Sequence, residues 1–215
     1  MMLMLKRAPV IALVALLAAA TAAMAQTPGV NTQVTFPLHY KASGFEACTG
    51  LAPVDCLTNR PAISATSGAA AAIFLTVMNY TSLAGVQTAF QFDATWTLTF
   101  GLWDCQTGQL NAVTPAMPGG PTAGSITSAF NCVTTGALLP IGRMFFTGPT
   151  AGCISQVQST FPFGIHALDC TQGVNQITED ARLGKVCVGA GGVDACDPVS
   201  PVESATWGGI KAQYH

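Results

Sequence analysis

Eight cysteines are the residues of this sequence best placed to do chemistry: Cys48, Cys56, Cys105, Cys132, Cys153, Cys170, Cys187 and Cys196. A thiol serves as metal ligand, nucleophile or half of a disulfide, and spacing separates these uses. Zinc sites are usually built from cysteine pairs with roughly two to four residues between them. No two cysteines here stand that close, and His166 with Cys170 is the one His/Cys pair at ligand-like spacing. The count is even and every cysteine follows a segment that reads as an export signal, so disulfides are expected. Cys48 and Cys56 bracket a short loop with Gly50 and Pro53; Cys187 and Cys196 bracket another with Gly189, Gly191 and Gly192. Spacing therefore suggests pairing in sequence order: Cys48–Cys56, Cys105–Cys132, Cys153–Cys170 and Cys187–Cys196. That is one of many connectivities such a set allows.

Other constellations are thin. The histidines are His39, His166 and His215, and no G-x-S-x-G nucleophile elbow occurs. Glu179 and Asp180 are adjacent, so on a strand they would point to opposite faces. They do not make the paired carboxylates of a glycosidase. Asp194, Asp197 and Glu203 gather oxygen donors in a Gly-rich stretch and are the candidate calcium ligands. No EF-hand pattern accompanies them, and Asp197 before Pro198 also suits a turn. Gly189 to Gly192 lacks the rest of a phosphate-binding motif and reads as a turn between cysteines. Asn79-Tyr80-Thr81 matches the glycosylation sequon. Trp103 and Tyr80 are the aromatic side chains best placed to contact a ligand; Trp103 could equally pack against a disulfide at Cys105. No metal, cofactor or catalytic residue is assigned, and the expectation is a protein that is not an enzyme.

The elements that would hold these residues are strands. Val34, Phe36, Leu38 and Tyr40 alternate with polar or turn residues. Ala72 to Tyr80 is a continuous apolar, β-branched run. From Val86 to Trp103 the even positions are apolar except Thr88 and the odd ones largely polar, which fits a hairpin turning near Asp93-Ala94. Further strands are expected at Ser125–Cys132, Ala137–Phe146, Cys153–Gln158, Gly164–Leu168, Val174–Ile177 and Lys185–Val188, separated by Pro and Gly clusters. This pattern predicts an all-β antiparallel sandwich over residues 26–199, stapled by disulfides. Ser200-Pro201-Val202-Glu203 forms a capping box. Val202, Thr206, Ile210 and Tyr214 recur every four residues behind it. A short amphipathic helix over 200–215 follows.

Met1 to Ala25 carries Lys6 and Arg7, an apolar run from Ala8 to Ala20 and an A-x-A site at Ala23-Met24-Ala25. It reads as a signal peptide cleaved before Gln26. Its removal would leave six cations against ten carboxylates, a net of −4. Only 8% of the 215 residues are charged, against about a quarter in ordinary soluble domains. That composition excludes a nucleic-acid binder and a disordered tail. No later apolar run is long enough to span a bilayer. The expected address is outside the cytoplasm: secreted, at the cell surface or in the periplasm.

The run Asn-Tyr-Thr-Ser-Leu-Ala-Gly-Val-Gln-Thr-Ala-Phe-Gln-Phe-Asp, from Asn79 to Asp93, resembles the early strands of cohesin modules. A second echo lies at Gly136 to Ser155, where Leu-Leu-Pro-Ile-Gly-Arg-Met-Phe-Phe precedes Gly148 and Ile154. The likeness spans about half of the chain after Ala25. It implies a cohesin-like jelly roll, akin in fold to a class of carbohydrate-binding modules, that is non-catalytic and binds a partner protein. The functional expectation is therefore a binding module for protein–protein recognition or extracellular self-assembly. A carbohydrate-binding module with a polysaccharide ligand is the alternative, and a secreted hydrolase the more distant one.

Overall fold

The computed structural model describes residues 28–51, 59–114, 123–134, 136, 138–158 and 164–196. The described residues form twelve strands: β1 (Leu38–Lys41), β2 (Ser64–Ala65), β3 (Ala71–Met78), β4 (Ser82–Phe92), β5 (Thr97–Leu102) and β6 (Leu110–Thr114), then β7 (Ala123–Thr134), β8 (Leu138–Thr147), β9 (Cys153–Val157), β10 (Ile165–Leu168), β11 (Val174–Ile177) and β12 (Lys185–Val188). Their only helical elements are two short 3-10 turns, Cys48–Gly50 and Asp180–Arg182. The expected signal peptide (1–25) and C-terminal helix (200–215) lie outside the described residues, and nothing here supports that helix.

Two sheets enclose the core. One has four antiparallel strands in the order β1-β3-β8-β5. The other has eight strands around the long β4. β7 pairs along one side of β4, with β6 outside it. The other side of β4 is shared. β10 takes Gly85–Gln87 and β9 takes Ala89–Phe92, so this sheet forks at Thr88. β11 extends one arm; β12 and the parallel β2 extend the other. The segment before β1 touches both sheets, because Thr35 bridges Met78 while Phe36 bridges Leu183. Val34, Phe36, Leu38 and Tyr40 all enter the core, as their alternation predicts.

Two expectations are corrected by the strand geometry. Val86 to Trp103 is not a hairpin, since β4 and β5 belong to different sheets. The chain does turn at Asp93, where Trp96 N–H donates to its carbonyl at 2.9 Å. It then arches over the core, with Phe90 and Phe92 entering from one sheet and Trp96 and Leu98 from the other. An arch keeps the same face toward the core, so an unbroken period of two does not distinguish it from a hairpin. The parity itself then breaks. A bulge between Leu98 and Phe100 turns Phe100 and Leu102 outward, and Trp103 packs inward on Phe90.

The disulfides also differ from sequence order. Cys48 bonds Cys105, Cys132 bonds Cys170 and Cys153 bonds Cys187. These bonds contradict the pairings Cys48–Cys56, Cys105–Cys132, Cys153–Cys170 and Cys187–Cys196. Cys196 is also disulfide-bonded, and Cys56 lies outside the described residues. The cause is topological. Cys153 and Cys187 are register partners on β9 and β12, and Cys132 and Cys170 lie on the two flanks of β4. Sheet neighbours distant in sequence outrank loop neighbours.

Candidate functional site

The outer face of the four-stranded sheet carries a second apolar cluster, separate from the core. Ala72 and Phe74 on β3 and Phe145 on β8 are buried there, with Leu51 and Leu102 packed alongside. Three rings line up across it. Phe145 lies 4.5 Å from Phe100 and 5.6 Å from Phe45, centroid to centroid, the second pair nearly parallel. Phe145 itself is buried, whereas Phe45 is 64% exposed and Phe100 38% exposed. The segment 42–51 lies along this face. Lys41 Nζ fixes it by donating to Gly50 O at 2.7 Å and pairing with Glu46 at 3.2 Å. His39 meets Phe74 edge-on, and its Nδ1 accepts the Ala62 N–H at 3.1 Å. Burial, aided by Lys41, pushes the His39 pKa down to about 4, so the ring is neutral at pH 7.

One corner of the face has unusual chemistry. Arg143 projects outward from β8 with a side chain only 7% exposed. Its Nη1 contacts Asp104 Oδ1 at 2.7 Å, Cys105 Sγ at 3.4 Å and, more closely, Cys48 Sγ. Its Nε has no hydrogen-bond partner among the described residues. Cys48, Asp104 and Cys105 bring three potential ligand atoms within 4.8 Å of one another. Both sulfurs are tied in one disulfide and a guanidinium touches all three groups, so the corner does not suit a cation.

The outer face of the eight-stranded sheet is polar by contrast, with Lys185 as a charged residue on it. Gln176, His166, Gln87 and Thr127 form a row across β11, β10, β4 and β7. Gly85, Gln87, Ser128, His166 and Val174 line a shallow depression of about 210 Å³ there. Burial lowers the His166 pKa. A second depression, about 270 Å³, lies by Gln91, Asp93, Ser155 and Lys185. Asp93 is committed to the fold, accepting the Cys153 N–H at 2.7 Å. Neither depression brings two carboxylates together among the described residues, so neither has the layout of a glycosidase.

The remaining sequence candidates scatter. Tyr80 is 7% exposed in the core, and its burial raises the phenol pKa. Trp103 is half-buried, stacked on Phe90 at 6.1 Å and lying over Gly142. Asp194 pairs with Arg60 at 2.7 Å and accepts the Cys196 N–H. Asp197 and Glu203, the other candidate calcium ligands, lie outside the described residues. Asn79 of the sequon is exposed in a left-handed conformation, φ 56°. Sequence reasoning missed Arg143, Phe45, Phe100 and Phe145 as surface features. Arg143 carried one signal: a lone cation inside an apolar strand run.

No protein-family model matches the chain, and no curated protein matches it. Among solved structures it is similar to the cohesin module of the Clostridium perfringens ATCC13124 family 33 glycoside hydrolase. There the TM-score is 0.46 and the identity 9%, over 72% of this chain and 96% of that one. It is also similar to the second type II cohesin module of the cellulosomal adaptor ScaA scaffoldin of Acetivibrio cellulolyticus, with TM-score 0.46, identity 10% and coverage of 67% and 90%. A non-cellulosomal cohesin from the archaeon Archaeoglobus fulgidus gives 0.45, 8%, 60% and 87%. No binding residue is carried over from those modules.

Proposed function

We propose that this protein is an exported, non-catalytic β-sandwich module that recognises a partner protein or a second copy of itself through the outer face of the four-stranded sheet. The observation that carries the reading is the ring stack Phe45–Phe145–Phe100, with its two ends open to solvent. Scattered exposed apolar residues are ordinary. Contiguous aromatic rings over their own buried cluster are what protein interfaces use as anchors. The disulfides support an oxidising compartment. Sugar binding has less support, because Tyr80 and Trp103 are packed rather than presented as flat platforms.

A photo-crosslinking amino acid placed at Phe100 tests this. The control is the same probe at Leu110, which is 74% exposed on the edge strand of the other sheet. The expected result is a protein adduct from position 100 and none from position 110, its mass distinguishing a second copy from another exported protein. Equal yields, no adduct from either site, or a polysaccharide adduct would overturn the proposal.

A further inference from the structure

The Cys48–Cys105 corner supports chemistry that does not depend on the recognition face. We propose that this disulfide is a thiol-exchange site for low-molecular-weight thiols. Of the described disulfides it is the one whose sulfurs touch a guanidinium among the described residues. Cys153–Cys187 instead joins register partners within the sheet, with Cys187 buried. Cys48 and Cys105 are both half-buried and lie outside any strand; Cys132 is more exposed than either, so the guanidinium rather than exposure singles out this bond. Arg143 Nη1 lies nearer Cys48 than Cys105, which makes Cys48 the better leaving group.

The step is balanced by the incoming thiol alone. Its thiolate attacks Cys105 Sγ and a new S–S bond forms there. The Cys48–Cys105 bond breaks, and its electron pair leaves on Cys48 Sγ as a thiolate facing the guanidinium. No net oxidation occurs, and the product is a mixed disulfide on Cys105. Asp104 opposes this, since its Oδ1 lies 3.8 Å from Cys48 Sγ. Its side chain is 62% exposed, however, against 7% for Arg143, so water screens the carboxylate far more than the cation. Nη1 already touches both sulfurs, so a thiolate left on Cys48 stands within reach of the guanidinium.

The test exposes the oxidised full chain to glutathione, quenches with an alkylating agent and maps the adducts by mass spectrometry. Glutathione on Cys105 with alkylated Cys48, before any other disulfide opens, is expected. Arg143→Gln should slow that exchange by about tenfold or more, and Arg143→Lys by only about threefold, because a cation lowers the leaving-group pKa. Asp104→Asn should speed it. Earlier opening of another bond, first adduct on Cys48, or equal slowing in both arginine variants would overturn the proposal. If Arg143→Gln does not fold, the wild-type adduct site and the Asp104→Asn rate decide the matter.

Discussion

Among the buried ionisable groups, His39 and Asp169 tie stability to pH in different windows, and His166, whose pKa burial also lowers, acts in the same direction as His39. The unfolded chain protonates His39 near its ordinary value of about 6.5, but in the fold burial and Lys41 hold it at about 4. Between those values the unfolded state binds more protons, so this contribution to stability is lost as pH falls from about 6.5 toward 4. His39→Gln keeps an acceptor for the Ala62 N–H and removes the titration. The urea midpoint of this variant should change less than the wild type's between pH 7 and pH 4.5. Asp169 works lower. Burial alone would raise its pKa, but hydrogen bonds from Thr171, Gly173 and Val30 outweigh that and hold it below the ordinary carboxylate value. Its contribution is present above about pH 4 and is lost as pH falls through the lower folded value. The same carboxylate fastens the segment before β1 to the turn between β10 and β11. Asp169→Ala should therefore cost about 2–3 kcal/mol in urea unfolding at pH 7, the scale of charge-assisted bonds left unmade.

Strand bulges decide which side chains face the site. β8 carries one beside Gly142, where Leu75 pairs with Gly142 but Thr76 pairs with Pro140. A Cβ at Gly142 would stand 2.2 Å from Trp103 Cε3 and 2.7 Å from the Leu102 carbonyl, and the carbonyl is backbone that cannot swing aside. Gly142→Ala should destabilise by about 1–3 kcal/mol, the usual range for overpacking, and should red-shift Trp103 fluorescence as the ring is pushed into water. An unchanged urea midpoint would show that the two strands part at no cost. The same bulges mark where the sequence stops being legible. β3, β7, β8, β9, β10, β11 and β12 each fall within a few residues of the apolar runs that announce them, because burial on one or both faces writes itself into alternation. β2 and β6 are too short or too polar to announce themselves. Phe100 and Leu102 keep the parity of Trp96 and Leu98 on paper but sit on the opposite face in the fold, one bulge later. The aromatic face was hidden for that reason, and the Arg143 corner because a disulfide across 57 residues brings Cys48 to Asp104 and Cys105.

At the scale of the whole molecule, the proposed recognition face should owe little to charge. Four of the eight Lys and Arg residues are held in ion pairs: Lys41–Glu46, Arg60–Asp194, Arg143–Asp104 and Arg182–Glu179. Lys185 is half-buried on the polar face, and Lys6, Arg7 and Lys211 lie outside the described residues. With most of the described cations already paired, long-range steering by free cations is weak. Contact through Phe45 and Phe100 should accordingly be indifferent to ionic strength. Raising salt from about 0.1 M to about 1 M shortens the screening length from about 10 Å to about 3 Å. It should leave self-association, followed by sedimentation velocity over a concentration series, unchanged or slightly stronger. Replacing Phe45 and Phe100 together by Ser should weaken association at both salts. Dissociation at about 1 M salt would assign the contact to ion pairs, and an unaffected double variant would move it to another face. A wild type that stays monomeric throughout would leave a different exported protein as the occupant of the aromatic face, and the crosslink from position 100 would then carry that partner's mass.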